Sequence, residues 1–60
     1  MLSEDFRRRI DNTTDLKKLK DEIEVMTQII FESDDKNVKR EMKEKIAYAK
    51  ERVEGLEQGG

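Results

Sequence analysis

Five pairs of apolar residues match across one polar stretch, and this match most constrains what the chain can fold into. About Ser33-Asp34-Asp35-Lys36, Ile30 falls opposite Val38, Met26 opposite Met42, Ile23 opposite Ile46, Leu19 opposite Ala49, and Leu16 opposite Val53. The position numbers in each pair sum to 68 or 69. A constant sum is what two helices of equal rise running in opposite directions from a shared turn require. The sequence therefore predicts an all-α fold, an antiparallel helical hairpin with Leu16, Leu19, Ile23, Met26, Ile30, Val38, Met42, Ile46, Ala49 and Val53 as its core seam.

The local signals agree with that frame. Leu16, Leu19, Ile23, Met26 and Ile30 recur at spacings of 3, 4, 3 and 4, a heptad seam, which predicts a helix over about 15–32. Val38, Met42, Ile46, Ala49, Val53 and Leu56 form a second stripe on a helix over about 36–54. Gly55 is placed to end that helix in the left-handed conformation, leaving 57–60 as a frayed tail. Upstream, Ser3 before Glu4 and Asp5 reads as an N-cap, and Leu2, Phe6 and Ile10 recur every fourth residue, predicting a short helix over about 3–11. Asp11-Asn12-Thr13-Thr14 breaks it, because these side chains compete for backbone hydrogen bonds. Thr13 or Thr14 is expected to cap the next helix, helped by Asp15. The β-branched window from Val25 to Phe31 is the one conflicting signal, and the seam running through it favours helix.

Charge supports the same direction. Lys17, Lys18 and Lys20 open the second helix and would lie beside Glu51, Glu54 and Glu57, while Asp21, Glu22, Glu24 and Glu32 would lie beside Lys36, Lys39, Arg40, Lys43 and Lys45. A parallel arrangement would set like charges together.

Sixty residues make one small helical domain, near the size at which a single apolar core barely suffices. With no Cys to staple it and no His, the expected source of further stability is self-association into a homo-oligomeric helical bundle. Val25, Ile29, Phe31 and Tyr48 lie off the seam and are left over by the hairpin. Together with Leu2, Phe6 and Ile10 they are the interface candidates, unless the first helix folds back over some of them.

Chemistry-bearing patterns are absent. Ser3 and Ser33 have no His to activate them, and the only glycines are Gly55, Gly59 and Gly60, so no phosphate-cradling loop is encoded. Asp34-Asp35 and Asp21-Glu22-x-Glu24 lack the alternating ligands and central Gly of a calcium loop, so no metal site and no cofactor is expected. Basic and acidic residues nearly cancel at 13 and 15, and Arg7-Arg8-Arg9 fan about 100° apart on a helix between Glu4, Asp5 and Asp11, which disfavours nucleic acid. No apolar run is long enough to span a membrane, and Met1-Leu2-Ser3-Glu4-Asp5 lacks the basic and apolar regions of a secretory signal, so a cytoplasmic location is expected.

The expected function is non-enzymatic: a protein-protein interaction module, structural or assembly factor of scaffold or chaperone-like type, acting as a homo-oligomer. A small regulatory inhibitor docking one helical face on a larger heterologous protein is the alternative, and a nucleic-acid-associated protein a weaker one. Met26 facing Met42 would make one layer of the seam adaptable.

Overall fold

A computed structural model describes residues 2–59. The described residues form three helices, α1 (Glu4–Asn12), α2 (Leu16–Glu32) and α3 (Lys36–Gly59), with no strand among them. The Val25 to Phe31 window is helical throughout. At about 1.5 Å per residue, the 24 residues of α3 span roughly the 38 Å long dimension of the molecule.

Each helix starts where a short polar side chain replaces missing backbone partners. Ser3 Oγ accepts from the Phe6 N–H at 3.1 Å, with Glu4 and Asp5 at the positive end of α1. For α2 the cap is Asp15, whose Oδ1 accepts from Lys17 N–H at 3.0 Å and Lys18 N–H at 3.4 Å. The expected Thr13 or Thr14 cap is thereby corrected. Thr13 is used at the other side of the break, its hydroxyl donating to Arg9 O at 2.7 Å and its N–H to Ile10 O at 3.1 Å, so it closes α1. Between α2 and α3 the work is divided. Ser33 N–H donates to Ile29 O, its Oγ accepts from Asp35 N–H, and Asp35 Oδ1 caps α3 by accepting from Asn37 and Val38 N–H.

The expected end of the third helix at Glu54 is also corrected. α3 runs on to Gly59, and no described glycine has a positive φ. A glycine in a helix costs about 1 kcal/mol relative to alanine but does not by itself stop one. Here Leu56 extends the apolar stripe onto the core, and Glu57 Oε2 lies 3.5 Å from Lys20 Nζ near the start of α2, so tertiary contacts carry the helix past Gly55. Residues 57–59, expected to fray, are helical; Gly60 lies outside the described residues.

α2 and α3, joined by three residues, pack against each other, and α1 rests chiefly on α3. The buried cluster is Phe6, Ile10, Leu19, Met26, Ala49 and Val53, with Leu2, Leu16, Ile23, Met42, Ile46, Tyr48 and Leu56 partly buried around it. Four of the six buried residues come from the seam read in the sequence and two from α1. Ile30 and Val38, the seam pair nearest the turn, are half-buried. Burial is uneven across the seam. Leu19, Met26 and Ala49 are buried, whereas Leu16, Ile23 and Ile46 remain partly exposed.

Candidate interaction surfaces

The position of α1 decides which apolar residues remain available for contact. Phe6 and Ile10, four apart, present one apolar edge of the helix and are 6% and 0% exposed. The Phe6 ring meets Tyr48 edge-on, with centroids 6.2 Å apart and planes at 60°, the geometry that aligns a positive ring edge with a negative face. Two cations approach the same ring: Arg9 Cζ and Lys45 Nζ each lie 5.4 Å from its centroid.

A polar frame surrounds this contact. Arg9 Nη1 donates to Glu22 Oε2 at 2.7 Å and Nη2 lies 2.5 Å from Glu22 Oε1, a fork that ties α1 to α2. That hydrogen bond, with the Glu22 charge adding to it against partial burial, raises the already high Arg9 pKa, so the guanidinium stays charged. Tyr48 Oη donates to Asp11 Oδ1 at 2.8 Å, tying α3 to α1. The same hydrogen bond chiefly raises the Tyr48 pKa, helped by desolvation and the Asp11 and Glu51 charges and opposed by Arg7. Arg52 Nε donates to Thr13 O at 3.3 Å and fastens the α1–α2 connection to α3. Lys45 Nζ also lies 3.8 Å from Glu41 on its own helix.

The structure therefore divides the interface candidates. Phe6 and Ile10 belong to the chain's own core, Tyr48 is half-covered by α1, and Leu2 is half-buried beside Glu44, Ala47, Tyr48 and Glu51. Val25, Ile29 and Phe31 are left exposed at 57%, 37% and 83%. These three do not make one patch. At about 100° per residue, Val25 and Ile29 stand one turn apart on the same flank of α2, while Phe31 points about 160° away from Ile29.

Members of each charged cluster have structural employment. Arg8 pairs with Glu4 at 3.1 Å and Arg9 with Glu22, so the Arg7-Arg8-Arg9 run is spread over different partners. Asp35 caps α3. Among the described residues no three Asp or Glu side chains converge in a way that could hold a metal ion, and no helix is long and apolar enough to cross a membrane. A shallow depression beside Tyr48 is lined by Glu4, Arg7, Arg8, Asp11 and Asn12, which mixes both signs of charge.

The Arg9–Glu22 fork and the Tyr48–Asp11 bond were not visible in the sequence. Both join helices through partners 13 and 37 positions apart, and only the docking angle of α1 brings them together. The one available signal was Arg9 three residues after Phe6, which puts its guanidinium within reach of that ring. Comparison with known protein families, curated proteins and solved structures finds no match.

Proposed function

We propose that this chain is a non-enzymatic interaction module: an antiparallel α2–α3 hairpin, braced by α1 and forming a single domain over residues 1–60, that self-associates in the cytoplasm as a structural or assembly factor. The observation that carries this reading is the exposure of Phe31, 83%, with Val25 and Ile29 also exposed on the same helix. α2 thus presents apolar side chains on both flanks outside its packing with α3, and such residues on a chain this small favour contact with another protein. The hairpin direction is supported by the three-residue connection, the joint packing of Leu19, Met26, Ala49 and Val53, and the Lys20–Glu57 pair between the start of α2 and the end of α3. A chain without His or Cys, whose carboxylates cap helices and form ion pairs, fits a role in binding better than one in catalysis.

The test is mass in solution. Light scattering after size exclusion should give more than one chain at micromolar concentration. A cooperative melt from a 7.1 kDa species at every concentration would overturn the self-association reading.

A further inference from the structure

We propose that copies of this chain associate head to tail, the Val25–Ile29 flank of α2 on one copy docking against the Phe31 flank of the next. The proposal rests on the self-association and hairpin put forward above and specifies which surfaces meet. It starts from the position of α1. Glu22, which holds Arg9, lies on the same flank of α2 as Val25 and Ile29, so α1 occupies that side of the α2–α3 pair. α1 rests chiefly on α3 and reaches α2 at Glu22. Val25 and Ile29, one and two turns from Glu22 toward the α2–α3 connection, stay exposed.

The rims of the two flanks carry opposite charge. Around the Val25–Ile29 flank, Asp21 and Glu32 lie one turn to either side along α2. Across the groove, the flank of α3 that meets α1 carries Glu41 and Glu44 together with Lys45, which lies 3.8 Å from Glu41, so the acid excess of this rim comes chiefly from Asp21 and Glu32. Phe31 points to the other side, where α3 carries Lys36, Lys39 and Lys43 on the side away from Tyr48, with Glu24 as an acid at the far edge. An acid-rimmed apolar strip and a base-rimmed apolar strip on opposite sides of one molecule complement each other between copies. A two-fold contact through either strip would instead set like rims against each other. Contacts between unlike surfaces make rings or open chains and do not stop at a dimer.

Two single variants test the geometry. Val25→Arg places a cation in the acid-rimmed strip and Phe31→Glu an anion in the base-rimmed one; both sites are exposed, and circular dichroism should show unchanged helix content. The parent's mass, measured by sedimentation, should rise with concentration past two chains, while each variant alone should stay monomeric. An equimolar mixture of the two variants should form a one-to-one complex of twice the single-chain mass, because the mixture retains one intact pair of surfaces. An associating parent with a monomeric mixture would overturn the head-to-tail arrangement while leaving self-association standing, as would single variants that associate like the parent. A parent that is monomeric throughout would overturn both readings.

Discussion

Arg9 and Glu22 face each other through two contacts, 2.7 and 2.5 Å, and this fork is the only described ion pair between α1 and α2. Arg9 is 55% exposed on its side chain and Glu22 27%, so solvent screens the pair and its worth stays modest. A double-mutant cycle on Arg9→Ala and Glu22→Ala should give a coupling of about 0.5–1 kcal/mol at low salt, falling as salt rises. Arg9→Lys should recover only part of it, because an ammonium cannot make the fork. A coupling near zero at low salt would show that the fork adds nothing to the hold that Phe6, Ile10 and the Tyr48–Asp11 bond already have on α1.

Tyr48 gives the docking of α1 a pH dependence. Its pKa is raised by the hydrogen bond to Asp11, so the protonated phenol is the form favoured by the fold. A raised acid pKa contributes stability in full below the unfolded tyrosine value of about 10, and that contribution is lost as pH climbs through the higher folded value. Tyr48→Phe removes the hydroxyl and keeps the ring against Phe6. The parent should melt above this variant at pH 7, and the gap should close as the solution is made more alkaline than about pH 10. A gap constant from pH 7 to 11.5 would count against the Asp11 bond.

Gly55 is a site of inexpensive stabilisation. It lies in the interior of α3 without positive φ, and a Cβ there would meet nothing within 4 Å. Gly55→Ala should therefore raise stability by up to about 1 kcal/mol through the helix preference and the less flexible unfolded chain. For a domain this size that corresponds to a melting temperature higher by about 4–8 °C. A lower melting temperature would mean that the helix breaks at Gly55 in solution.

Asp15 and Thr14 are neighbours with different duties. Asp15 accepts two backbone N–H groups at the start of α2, whereas Thr14 is exposed and is not the cap. Asp15→Ala should cost about 1 kcal/mol and Thr14→Ala within about 0.5 kcal/mol of nothing, read from denaturant midpoints. Equal losses at the two positions would restore Thr14 as a cap.

What sequence by itself determined here is everything set by local spacing. The all-helical class, the three helices, the breaks at Thr13 and at Ser33 to Asp35, and the buried seam members Leu19, Met26, Ala49 and Val53 all follow from 3.6-residue periodicity and short polar caps. These signals act within a few residues and need no partner. Tertiary structure decided the rest. Gly55 looked like a stop because its intrinsic preference is poor, and Leu56 and Glu57 override that preference by contacts made far along the chain. Phe6 and Ile10 read as interface candidates because a stripe of three apolar residues says that a face will be covered and not by what. Only the way α1 docks on α3 buries them, brings Tyr48 and Asp11 together, and leaves Val25 and Ile29 outside. That docking depends on how whole side chains pack across three helices, which no local pattern encodes.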